Sequence, residues 1–197
     1  LDDYDAGLES LAQDTWRVVN PELPEGDTQH RIGAIHQKLA DEVVDAAGSG
    51  ARPVSIAGDC CTTLGVMAGI QRVGMDPTLI WVDAHGDLNT WETTPSGFLG
   101  GMPLAMMMGI GEQTIVEAVG LTPISKDRII ITDGRDLDPG EQDLINREQL
   151  TLIRNITDLL DNSFNERPVY VHFDTDILDP EDAPAMGYLA PGGPSRS

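Results

Sequence analysis

The sequence predicts an α/β fold: a mainly parallel central sheet covered by helices on both faces, in three layers. Two observations carry this. Runs of continuous Val, Ile and Leu character, such as TLIWV (78–82), RIIIT (128–132) and VYVHF (169–173), alternate with segments of helical spacing. Strands that are apolar on both sides belong to parallel sheets buried between helices. Three runs also end in an aspartate: Asp59 after 54–57, Asp83 after 78–82 and Asp174 after 169–173. Ligands of open α/β sheets bind at the carboxyl ends of strands, so three strands are expected to deliver an acid to one edge.

The elements follow in order. Residues 1–28 are acidic and Pro-rich with weak periodicity, an irregular lead-in to a single domain spanning 1–197. From Gln29 to Ala47 the residues Ile32, Ile35, Leu39, Val43 and Val44 recur at helical spacing, and GSGARP ends that helix. Val54–Ala57 reads as a short buried strand, Thr62–Val73 as a helix, and Thr78–Val82 as a strand. Pro103–Met108 is a short helix, Arg128–Thr132 a strand, and Glu141–Arg147 lies in a helix. Leu150–Ile153 is a further strand, Ile156–Asn162 a helix, and Val169–Phe173 the last strand.

Composition narrows the function. At 197 residues with a net charge of −21, and with Lys38 and Lys126 as the only lysines, the surface repels nucleic acid and anionic membranes, which are bound through Lys and Arg. No apolar run reaches the ~20 residues of a membrane span, and LDDYDAGLES has no signal-peptide pattern. A cytoplasmic location is expected. Cys60 and Cys61 are adjacent and make no disulfide framework, which fits reduced thiols.

The chemistry concentrates in DAHGD (83–87) and DTD (174–176). In extended chain alternate residues project to one side, so Asp83, His85 and Asp87 can face one point, as can Asp174 and Asp176. Like charges ~4 Å apart cost ~4 kcal/mol per pair at an effective dielectric of 20. A divalent cation, or two sharing carboxylates, offsets that repulsion, and oxygen-rich ligation with one imidazole favours Mn²⁺-like ions. Other readings exist for single pieces. Asp59 before a helix reads as an N-cap rather than a ligand; His30 and His36 read as surface residues, and His172 as core. HFDTDILDP also resembles a phosphatase opening, but Leu178 and its late position depart from that pattern.

Together the motifs resemble the arginase/agmatinase (ureohydrolase) family. DAHGDLN is similar to its D-A-H-x-D-x-N signature, HFDTDILDP to its D-x-D-x-x-D-P signature, and AGDCC stands where the family has G-G-D-H-S. The resemblance spans about Ile56 to Gly193. It implies a binuclear manganese centre with a bridging hydroxide that hydrolyses a carbon–nitrogen bond in a small cationic guanidino or linear amidine compound. Asp83 and Asp174 would bridge the ions, with His85 and Asp176 on one and Asp87 and Cys60 on the other. Asp87 would also hold the hydroxide and pass on its proton, as the catalytic residue. Asn89 and Ser96 match substrate-binding positions, and a homo-oligomer is expected.

Three departures accompany the resemblance. Cys60 replaces a metal-binding His; as a thiolate it is a softer ligand that admits Zn, Fe or Ni, and as a buried thiol it leaves that site a ligand short. Gly100 stands where the arginase branch has a proton-shuttling His. The family continues beyond APGG and begins with an earlier strand, so the sheet is expected to be incomplete at both ends, with the C-terminal part of the domain missing. A catalytically inactive family member with a binding or structural role is the alternative. Trp91 reads as a loop anchor.

Overall fold

The computed structural model describes residues 16–164 and 167–195. Of the expected lead-in, residues 1–15 lie outside these; residues 16–27 are irregular, and Arg17 ties them to Glu42 with an ion pair of 2.6 Å. Asp27 then starts α1 (Thr28–Gly48) as its N-cap, its carboxylate accepting from the His30 N–H at 3.0 Å. α1 crosses α2 (Thr62–Arg72) at close range. A Cβ on Gly65 would lie 2.8 Å from the His36 carbonyl, and one on Gly69 2.6 Å from Val43 Cβ.

That crossing corrects the reading of His36, which is 5% exposed. Ile32, His36, Ala40 and Val43 share the helix face turned to the core. Burial pushes the His36 imidazole down to about 4, partly opposed by Asp59, and Nδ1 has no hydrogen-bond partner. The unfolded chain protonates this residue near pH 6.5 and the folded chain only near pH 4, so the unfolded state binds more protons in between. Stability is therefore full above pH 6.5 and falls by about 3 kcal/mol as pH drops through that window. Denaturant unfolding at pH 7.5 and 5.0 should show about 2 kcal/mol of this loss in the wild type and a flatter dependence in His36→Leu; equal slopes would contradict it.

The sheet comprises β1 (Thr78–Asp83), β2 (Ile129–Asp133), β3 (Thr151–Ile153) and β4 (Val169–Phe173), in the order β3-β2-β1-β4 and parallel throughout. α3 (Pro103–Met107) and α4 (Thr114–Val119) lie in the crossover from β1 to β2, and α5 (Pro139–Glu148) between β2 and β3. Leu79, Trp81, Ile129 and Ile131 enter the main core with Leu64, Met67, Leu104, Ile115 and Leu144 from the helices. On the other face Ile80 and Val82 form a smaller cluster with Ile177, flanked by Ile156 and Leu159. The fold is α/β, as expected. Among the described residues no helix is long and apolar enough to cross a membrane.

Three readings of local structure change. Val54–Ala57 is not a strand but an irregular segment with Val54 and Ile56 exposed; an apolar run becomes a strand only beside a neighbour that takes its hydrogen bonds. On that side β4 is the outer strand among the described residues, with Val171 and Phe173 about half exposed. Ile156–Asp161 is a 3-10 helix. α4 was not anticipated, being only six residues long.

Candidate metal centre

After β1 the chain moves outward through β2 and β3, then returns to place β4 on the other side of β1. The carboxyl ends of β1 and β4 thus form the switch point where α/β sheets bind ligands. Val82 pairs with Phe173, and the Asp174 N–H donates to the Val82 carbonyl at 2.9 Å, which sets Asp83 and Asp174 side by side. Each carboxylate is fixed by its own turn. Asp83 Oδ1 accepts from the His85 N–H at 2.7 Å, and Asp174 Oδ1 from the Asp176 N–H at 2.9 Å. The free oxygens face the other groups: Asp174 Oδ2 accepts from the Cys60 thiol at 3.0 Å, and Asp83 Oδ2 lies 3.6 Å from His172 Nε2.

His85 Nδ1 is 3.1 Å from Asp176 Oδ2 and 3.5 Å from Asp83 Oδ1. Asp87, a predicted ligand, comes near Cys60 and Asp83 by a route other than strand alternation and belongs to neither of the ligand groups described below. β1 ends at Asp83, and Asp87 has φ +50°, a left-handed turn that Asp tolerates. Gly86 permits this turn, since a Cβ there would lie 2.8 Å from Leu137 and 3.1 Å from Glu141 Oε1. Glu141, buried, accepts from the N–H groups of Leu88 and Asp138, each at 2.9 Å, and so pins the loop. It was not among the predicted residues; its signal is the capping box D-P-G-E at the start of α5.

Two groups of side chains could each hold a divalent cation: Cys60, Asp83, His172 and Asp174, and Asp83, His85 and Asp176, with ligand atoms in each group within 4.8 Å. Orphaned polar atoms accompany them. Asp87 Oδ2, Asp176 Oδ1 and His172 Nε2 are buried without a hydrogen-bond partner, a costly state unless something else is bound there. Electrostatics agrees. Burial, with Asp83 and Glu141 nearby, pushes Asp87 well above the usual carboxylate range, and burial raises Asp176 as well. Burial also opposes ionisation of Asp83, but the imidazoles of His172 and His85 hold it low. Hydrogen bonding to Asp176 and then Asp83 raises His85 to about 11, so in the ion-free chain its imidazolium supplies the positive charge. Burial raises the Cys60 thiol, and Asp87, Asp83 and Asp174 raise it further.

The remaining predicted residues fall around this cluster. Asp59 is not the N-cap of α2, which is Cys61 without a side-chain bond; its carboxylate closes the preceding turn by accepting from the Cys61 N–H at 2.8 Å and lies outside both groups. Asn89 is buried; its amide donates to Asp138 at 2.8 Å and accepts from the Thr93 hydroxyl at 3.0 Å. Ser96 is exposed and accepts from the Phe98 N–H. Trp91 anchors its loop by donating to Glu112 at 2.9 Å. A side chain at Gly100 would collide with the Phe98 ring, 2.3 Å from the Cβ position. Phe98 stacks on Tyr188 at 5.2 Å, and Tyr188 meets His85 edge-on at 6.4 Å. These aromatic rings were not predicted. They form an apolar rim beside the charged cluster, and their exposure hides them from a search for core or ligand patterns. Arg135 holds the Tyr188 segment in place by pairing with Asp133 and donating to the carbonyls of Asp176 at 3.0 Å and Ala190 at 2.7 Å.

Comparison with known proteins agrees with this architecture. A family model described as "Arginase family" matches residues 9–197. The arginase of Brevibacillus brevis is 36% identical over 171 residues, covering 80% of this chain and 57% of that protein. The crystal structure of arginase from Bacillus cereus superposes with a TM-score of 0.78 at 32% identity, covering 84% of this chain and 62% of that one. An Entamoeba histolytica arginase in complex with L-ornithine matches with a TM-score of 0.76 at 25% identity, covering 90% of this chain and 66% of that one. The chain thus spans little more than half the length of the curated relative. With the strand-end carboxylates, the fold and the family model in agreement, the chain belongs to the arginase family.

Proposed function

We propose that the protein is a metal-dependent hydrolase of a carbon–nitrogen bond in a small cationic guanidino or linear amidine compound. The observation that carries this is the pair of ligand groups sharing Asp83 at the β1/β4 switch point, with the unpartnered oxygens of Asp87 and Asp176 beside them. Asp83 and Asp174 would lie between two divalent ions, with His85 and Asp176 toward one, and Cys60 and Asp87 toward the other. Two bound cations, manganese being the first to try, would supply an activated water near neutral pH and polarise the carbon under attack. Asp83 and Asp174 are already oriented by the turns to His85 and Asp176. Asp87, brought beside Cys60 and Asp83 by its left-handed turn, is placed to accept a proton from the activated water and pass it to the leaving amine. The aromatic faces of Phe98 and Tyr188 and the net negative cluster both favour a cationic substrate over an anionic one. Asn89 would act through Asp138 and Thr93, and Ser96 from the exposed loop.

The test is urea or ammonia release from a panel of guanidino and amidino compounds, including arginine and agmatine, by protein loaded with manganese and by the Asp87→Asn variant. Release by the wild type that falls at least 100-fold in the variant supports the proposal. A wild type that binds the ions and hydrolyses nothing in the panel would favour the inactive member with a binding role.

A further inference from the structure

His172 packs as a core residue through its ring, but one of its nitrogens faces the candidate metal centre without a partner. It sits on β4 opposite Trp81, and the two rings stack at 3.7 Å with an interplanar angle of 22°. Its Nδ1 is 3.0 Å from the Thr63 hydroxyl. When a cation takes Nε2, Nδ1 keeps its proton and donates it to the Thr63 hydroxyl; an outer partner of this kind fixes the tautomer of a metal-binding histidine. Nε2 is buried and without a hydrogen-bond partner, 3.6 Å from Asp83 Oδ2. That separation is too long for a hydrogen bond. It suits two ligands on one cation, which stand about 3.3–3.8 Å apart at tetrahedral angles for metal–ligand bonds of about 2.0–2.3 Å. Cys60 Sγ, 3.0 Å from Asp174 Oδ2, lies across the same space, and all four ligand atoms fall within 4.8 Å.

We propose that His172 is an imidazole ligand of the metal ion on the Cys60 side, joining Cys60, Asp83 and Asp174 in a site that prefers zinc, cobalt(II) or ferrous iron to manganese. Cys60 alone would exchange a nitrogen ligand for a sulfur. With His172 the site keeps an imidazole and gains a thiolate, a mixed N/S/O donor set suited to borderline cations. The inference rests on the two-metal reading of the same cluster.

The experiment is titration of metal-free protein with cobalt(II), zinc and manganese, following stoichiometry, affinity and the cobalt–thiolate charge-transfer band. His172→Phe keeps a ring against Trp81 and removes the ligand nitrogen. It should weaken the ion on the Cys60 side about 100-fold or more, beyond the ~10–100-fold effect of an outer-shell partner, and leave the ion at His85 and Asp176 unchanged. Thr63→Val, a milder change, should weaken the same ion about 10-fold. Two ions bound with unaltered affinity in both variants would overturn the role of His172 and leave the two-metal reading standing. A wild type that binds no ion would overturn both.

Discussion

Replacing Asp174 with Ala should abolish binding of both metal ions. The carboxylate does three things at once in this structure: Oδ1 accepts from the Asp176 N–H, Oδ2 accepts from the Cys60 thiol, and the whole group sits beside Asp83 at the meeting of β1 and β4. Its loss removes a proposed bridge, frees the turn that aims Asp176, and leaves Asp83, Asp87 and Asp176 to repel one another without a shared cation. Metal content per chain after dialysis against a weak chelator checks it. Two ions retained at near wild-type affinity would contradict the arrangement.

Trp81→Ala should cost about 3–5 kcal/mol of stability, the range for deleting a large buried aromatic side chain. Trp81 is fully buried at the centre of β1, in the main core with Leu64 and Met67 of α2 and Ile131 of β2. Against a typical total of about 5–15 kcal/mol, this is a large share. The same change removes the ring on which His172 lies, so the candidate metal centre loses a neighbour together with the core. Trp81→Phe should cost less and keep the stack. Urea unfolding measures both; a change below 1 kcal/mol for Trp81→Ala would show that the core reading is wrong.

The parts of the fold legible in sequence are those whose signal is local. TLIWV, RIIIT and VYVHF are strands because both of their faces are apolar, and α1 and α2 follow their helical spacing. Val54–Ala57 has the same apolar character and fails as a strand because pairing is a property of two chain segments, and none is in place beside it among the described residues. Ile156–Asp161 and α4 are six residues each, too short for helical periodicity to fix their type. At the site, D-x-H and D-x-D were readable because each Asp binds the N–H two residues on, which is local geometry. Strand alternation does not bring Asp87 to the cluster: it arrives by a left-handed turn and belongs to neither ligand group. His36 was misread as a surface residue because what a histidine faces depends on the element packed against it, here α2. Glu141, Phe98 and Tyr188 act across long sequence separations and carry no spacing that would link them to the motifs.

The most direct test of the account is the number of metal ions bound per chain at saturation, by elemental analysis of the wild-type protein after loading with manganese and, separately, with zinc. The paired ligand groups sharing Asp83 predict two ions per chain. Fewer than two, with the fold intact by circular dichroism, would contradict the binuclear centre on which the proposed hydrolysis depends.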